Sequence, residues 1–368
     1  MLWFLLACVR HPPVETPARV AAAAPVATVP LAEGPVILVL RAGSAFDPPG
    51  REGLAWVTAH AVADPVGVAV DVGPELVVFS IPAQQVTAFA AALGAAPSAD
   101  AVAAARTAAV AALDALDCRG IAERAWDSWI FLGHPYGHPP EGRRGVLGTL
   151  TATEAAAFQE VRYVRNAAVL GVPTGTQVDP STFSTLRPTL AVSPTPSVTL
   201  DLPTARVLIV TDADKRCAVV GQPGSLDTGL RVELGGDLLA ESRLQPRRLA
   251  WLPVPPDRDL PAFTAALLGS DWTGPWRSSR PLVEPVSSPL QALADTLLDR
   301  HPWPSLDHPV LASGALPSSA PEAVTPETML DPARSHVVLV LPPDAVPALE
   351  SFSTAVVQPV VPAQELFR

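Results

Sequence analysis

Cysteine is scarce in this chain: three residues in 368, at positions 8, 118 and 217. That count excludes a cysteine-built metal cluster. Cys118 and Cys217, far apart in sequence, are expected to lie buried and inert, unless an oxidising compartment pairs them. Blocks of Lys or Arg are also missing and the formal net charge is -11, which argues against nucleic acid as a partner. No run beyond the N-terminus reaches the roughly 20 apolar residues of a transmembrane helix. There is no Gly-x-Ser-x-Gly elbow, and Gly235-Gly236 is followed by Asp237 rather than by Lys and Ser or Thr. A serine-hydrolase nucleophile and a phosphate-cradling loop therefore both lack support.

Hydrophobic residues make up 48% of the chain and charged residues 17%, a globular balance with enough length for two or three ordinary domains. The 43 prolines imply many loops and abrupt element ends. At the N-terminus, Leu5-Leu6-Ala7-Cys8 closes a short apolar run and has the form of a bacterial lipobox. Cys8 would then carry the lipid, and the Pro/Ala-rich residues 12–30 would tether a folded body off a membrane. On this reading 1–30 is signal and tether, 31–187 a first domain, 188–203 a Pro-rich linker and 204–368 a second domain.

In the first domain the all-apolar run 36–40 reads as a buried strand and 53–62 as a helix. Segments 66–71 and 75–81 read as a hairpin around Val72-Gly73-Pro74. Helices are expected over 84–93, 100–117 (with Ser98 as N-cap) and 119–132 (ending at Gly133), and over 152–164, where Thr151-x-x-Glu154 has capping-box form. A strand at 166–172 should return to the sheet. This order gives an α+β plan, helices on one face of a mainly antiparallel sheet. The second domain repeats it in outline: strands at 205–211 and 217–220, helices at 260–268, 289–300, 321–330 and 345–352, and strands at 337–341 and 355–361. Gly221-Gln222-Pro223-Gly224-Ser225-Leu226-Asp227 weakly echoes Arg41-Ala42-Gly43-Ser44-Ala45-Phe46-Asp47, as a duplication would. Two halves of similar plan are the economical reading.

The turn Gly43-Ser44, the helix start Gly53-Leu54-Ala55 with His60, the loop His134-Pro135-Tyr136-Gly137, the Thr-x-x-Glu cap and Asn166-Ala167 before a strand occur in a telling order. That order resembles the pitrilysin/insulinase-type zinc metallopeptidases, the family of the mitochondrial processing peptidase subunits. The resemblance covers about residues 35–175 and is thinner beyond. In active members an inverted motif, H-x-x-E-H, places two histidines on one helix face to hold Zn²⁺, and its glutamate activates the bound water. The matching window here is Trp56-Val57-Thr58-Ala59-His60. Trp56 stands for the first histidine, Ala59 for the glutamate, and His60 remains.

The third ligand, a glutamate in the family, falls near Ala112, with Asp114 and Asp117 the nearest acids. The resemblance thus implies a degenerate, non-catalytic member. No metal or other cofactor is expected, and the partner is a homologous catalytic subunit or a second copy around a peptide. The location implied is the bacterial envelope. A zinc site displaced onto His60 with Asp114 or Asp117, and a scaffolding lipoprotein, remain open. In partner subunits of the family an arginine and a tyrosine of the second half grip the substrate chain. Arg277 and Arg280 lie in the matching region, with no tyrosine after them, and read equally as surface residues beside Trp272 and Trp276. His134 and His138 are expected to pack in a rigid loop. His301, His308 and His336 are expected in solvent or core, and His11 in the tether.

Overall fold

The computed structural model describes residues 26–187, 202–223, 230–234, 237–241, 247–269, 282–285, 293, 334–352 and 357–368. The first half opens with strand β1 (Ala27–Leu31), then β2 (Val36–Leu40), helix α1 (Leu54–Ala63), and the hairpin β3 (Ala69–Val72) and β4 (Val77–Ile81). Helices α2 (Val86–Gly94), α3 (Ala99–Asp114), α4 (Cys118–Ile130), α5 (Arg144–Leu147) and α6 (Ala152–Arg162) follow, and β5 (Ala168–Pro173) returns to the sheet. The expected helix starts are present. The Ser98 side chain accepts the Ala101 amide at the head of α3, and Thr151 and Glu154 close a capping box on α6.

The second half contains β6 (Val207–Thr211), β7 (Cys217–Pro223), β8 (Leu230–Leu234), β9 (Asp237–Glu241), β10 (Arg247–Pro253), α7 (Leu260–Leu268), β11 (Leu282–Pro285), β12 (His336–Leu341), β13 (Val357–Pro362) and α8 (Ala363–Leu366). The first sheet runs β1-β5-β2-β4-β3, and the second β11-β8-β9-β10-β7-β12-β6-β13. Within the second, the stretch β6-β12-β7-β10-β9 repeats the first strand for strand. In both, the first strand pairs parallel with the last, and the next three neighbours pair antiparallel. Strand β13 adds a parallel edge beyond β6, and β8 with β11 extends the other end. The chain is an α+β protein of two halves with one shared sheet topology.

Burial explains the all-apolar strands. In β2, Leu38 and Leu40 face the helices while Val39 faces a smaller cluster with Val78 and Val169. In β6, Leu208 and Val210 join the helix-filled core, while Val207 and Ile209 meet Leu260, Phe263 and Leu267 of α7. The second sheet is thus covered on both faces, so its strands read as continuous hydrophobic runs rather than alternating ones. Each such fully buried Val, Leu or Ile contributes about 1.5–3 kcal/mol.

Four expectations change. The tether read up to residue 30 gives way to β1 at Ala27, because the exposed parallel edge of β5 supplies its hydrogen-bonding partner. The helix expected at 345–352 is two 3-10 turns, Pro343–Ala345 and Leu349–Ser351, with Pro347 between them unable to donate to a helix. Strands β8 to β11 and helix α8 were not foreseen. The cysteines are not inert thiols: Cys118, at the start of α4, is disulfide-bonded to Cys217, at the start of β7, across 99 residues and both halves. Residues 188–201 of the expected linker, the helices at 289–300 and 321–330, and Cys8 lie outside the described residues, apart from helical Leu293.

Removing the disulfide by changing Cys118 and Cys217 to serine should lower stability by about 2–4 kcal/mol, read as a lower urea midpoint. Alkylation of the native, unreduced protein should leave both cysteines unlabelled. Full labelling at both positions would show that the bond does not form.

Candidate functional site

Helix α1, which carries the window 56–60, is held in place from its N-terminal side. After β2 the chain turns at Gly43, whose backbone lies so close to the 73–75 turn that a Cβ there would sit 2.4 Å from the Gly73 carbonyl oxygen and 2.5 Å from that of Pro74. The amides of Gly43, Ser44 and Ala45 donate to Glu75, Gly73 and Pro74 at 3.0, 3.0 and 2.7 Å. The Asp47 carboxylate then accepts the Gly53 and Ala55 amides, each at 2.7 Å, capping α1. Burial raises the Asp47 pKa, while the Ala55 and Gly53 amides pull it down. Gly53 has φ 97 and abuts the Glu141 carbonyl, so only glycine fits.

Beyond this cap every residue of α1 except His60 is buried. Trp56 is 8% exposed and Ala59 fully buried. The His60 ring stacks on the Trp56 indole with centroids 3.6 Å apart and planes 23° off parallel. Its Nδ1 lies 3.1 Å from Asp64 Oδ2, one further turn along the helix. Burial lowers the His60 pKa, against the pull of Asp64. The remaining histidine of the motif is thus engaged on both sides, by an aromatic face and by a carboxylate.

The other expected ligands are elsewhere. Ala112 lies on α3, partly buried against the core, and α3 packs on α1. Asp114 pairs with Arg144 at 2.6 Å. Asp117 is the N-cap of α4, accepting the Gly120 amide at 2.7 Å. Among the described residues no group of three or more His, Cys, Asp or Glu side chains converges as a metal site. Among the described residues the set around His60 does not fit zinc: Trp56 and Ala59 offer no ligand atom, Asp114 and Asp117 are committed to other contacts, and His60 with Asp64 falls short of three ligands.

His134 is the N-cap of the turn Pro135–Gly137, its Nδ1 accepting the Tyr136 amide at 3.1 Å, and burial pushes its pKa down to about 4. His138 lies 3.1 Å from the Pro139 carbonyl. His336 sits edge-on to Trp129 at 5.4 Å, in the core. Arg277, Arg280, His11, His301 and His308 lie outside the described residues.

Sequence reasoning missed a buried polar group behind the Gly43 turn. Arg41 Nε donates to Glu75 at 3.0 Å, and the Tyr136 hydroxyl donates to Glu75 at 2.6 Å. An arginine placed directly after the all-apolar run 36–40 was its available signal, since a buried cation needs an anionic partner.

No protein-family profile and no curated protein matches the chain. Solved structures do. A "peptidase M16 inactive domain" from Pseudomonas fluorescens superposes with a TM-score of 0.55 at 14% identity, over 86% of this chain and 94% of that one. The chain has the M16 peptidase fold. The first half of the periplasmic protease PqqL from Escherichia coli matches at TM-score 0.52 and 12% identity, over 88% of this chain and 94% of that one. Pitrilysin matches at 0.53 and 12%, and there the alignment covers 86% of this chain but only 44% of the enzyme. The chain therefore spans less than half the length of pitrilysin.

The hold on α1 and on the 134–138 loop can be tested by substitution. Asp47→Ala should cost about 1–2 kcal/mol of stability, and Asp47→Asn, which keeps one acceptor oxygen, should cost less. For His134, the folded pKa of about 4 lies below the ordinary 6.5, so its contribution is complete above pH 6.5 and is lost as pH falls to about 4. Asp127 works against it, since burial raises its pKa to about 7 and its contribution is lost as pH rises. His134→Asn keeps the cap and removes one titration. Its melting temperature should therefore fall less than wild type between pH 6.5 and 4. Parallel melting curves would contradict the assignment.

Proposed function

We propose that the chain is a non-catalytic metallopeptidase homologue of the bacterial envelope that pairs with a catalytic homologue and supplies half of a peptide-binding chamber. The observation that carries this reading is α1. The helix is kept, capped and packed, but Trp56 and Ala59 stand where a ligand and the general base belong, and the indole lies against the one remaining histidine. Loss of a general base alone costs about 10²–10⁴-fold in rate. Retaining the fold around such a site makes sense when the fold itself is used, to enclose a chain that another subunit cuts.

Three further points support the reading. Some relatives of this fold are described as an inactive domain and as half of a periplasmic protease. A disulfide between the halves fits an oxidising compartment. Cys8 closes a lipobox-like run, which would anchor the chain to a membrane through lipid alone; among the described residues no single helix is long and apolar enough to cross one. Arg277 and Arg280 stay in the proposal as residues that would hold the peptide. The rival, an active peptidase with displaced ligands, asks Asp114 or Asp117 to leave Arg144 or the cap of α4. A scaffolding role without a catalytic partner differs from the first reading only in the identity of what binds.

Metal analysis of the purified chain should find zinc far below one ion per molecule, unchanged by His60→Ala, with no hydrolysis of a peptide library. Expressed beside an intact H-x-x-E-H homologue encoded near it, the chain should co-purify as a complex of both. Stoichiometric zinc lost in His60→Ala would restore the enzyme reading, and a monomer that ignores the homologue would sink the pairing.

A further inference from the structure

A pocket of about 390 Å³ opens between the 44–48 turn, the first turn of α1 and helix α6. Phe46, Leu54 and Phe158 form its apolar wall, each at most 5% exposed as a residue, and Val161 stands at its rim, 63% exposed. Three charged side chains also line it: Arg51, Glu154 and Arg162. Their charges do not balance. Glu154 is fully engaged, with Oε1 on Arg51 at 2.5 Å and Oε2 on the Thr151 amide and hydroxyl at 2.9 and 2.7 Å. Arg162 instead lies over the Phe46 ring, 4.4 Å from its centroid, with Arg41 also over that ring at 5.6 Å. Behind the ring, Glu75 is bonded to Arg41 and Tyr136.

Among the described residues Arg162 has no carboxylate within ion-pair distance. Burial and the neighbouring Arg41 lower its pKa, against the weaker pull of the Glu75 carboxylate. An apolar pocket whose lining includes one guanidinium without a paired carboxylate selects an apolar group that bears a carboxylate. The volume suits a residue or two, and the open rim at Val161 lets a longer chain run out to solvent.

We propose that this pocket binds the C-terminal residue of a peptide chain, its apolar side chain against Phe46, Leu54 and Phe158 and its α-carboxylate on Arg162. The site requires neither a metal nor a partner subunit, so it stands or falls apart from the pairing reading.

The test is calorimetric titration of the full chain with acetyl-Ala-Ala-Phe as the free acid and as the C-terminal amide. The acid should bind at least about tenfold more tightly than the amide, as befits a charge-assisted hydrogen bond. Arg162→Gln should erase the difference. Val161→Glu, at an exposed rim position that leaves the core untouched, should weaken the acid and decides the matter if Arg162→Gln fails to fold. Equal affinity for acid and amide, no binding of either, or acid binding unaltered in Val161→Glu would overturn the proposal. So would octanoate binding as tightly as the peptide acid, which would assign the pocket to a free amphiphile.

Discussion

Helix α4 belongs to the first half in sequence and to both halves in space, and the architecture depends on how it is buried. Trp126 is fully buried and donates from Nε1 to the His336 carbonyl at 3.3 Å, so the helix is bonded to the backbone of β12. Asp127 is buried and Glu123 and Arg124 are half-buried, and each has a partner of opposite charge. Arg124 holds Glu141 through Nε and Nη2 at 3.2 and 2.8 Å. Asp127 and Glu123 receive Arg247 of β10 at 3.0 and 3.4 Å. Breaking such a buried pair by removing one member leaves a desolvated charge and costs more than the pair itself contributes. The disulfide from Cys118 adds a covalent tie at the same seam. The apolar cluster that starts on the inner face of the first sheet therefore continues through α4 to Leu208, Val219 and Val338 of the second.

Helix α1 is fixed within the same cluster. Its position is set by Asp47, Gly43 and Gly53 on one side and by packing against α3 and α6 on the others. None of these contacts involves a metal. The indole of Trp56 gains by burial, and Ala59 places no carboxylate in the core that would need a partner.

Much of this was legible in the chain. The apolar run 36–40, the Ser98 and Thr151 caps and the Gly53-led helix declared themselves because strand burial and helix capping are local signals. The contact between Trp56 and His60 follows from their spacing of four on a helix. What was not legible is long-range. Asp117 looked like a ligand candidate because its role as the cap of α4 depends on where α3 stops, and that stop comes at Asp114, earlier than periodicity suggests. Pairing Cys118 with Cys217, or Arg247 with Asp127, requires knowing that the second sheet lies on α4. Proline in Val29-Pro30-Leu31 disguised β1 as tether, since an edge strand tolerates a missing donor that a central one does not.

The two halves share a sheet topology but differ in what they insert into it. Between β2 and β3 the first half inserts α1, whereas between the corresponding β7 and β9 the described residues hold β8, paired to β9 and β11. Among the described residues the second half therefore extends its sheet where the first places α1, and holds no counterpart of that helix there. What the two halves share is the five-strand topology and the buried seam between them.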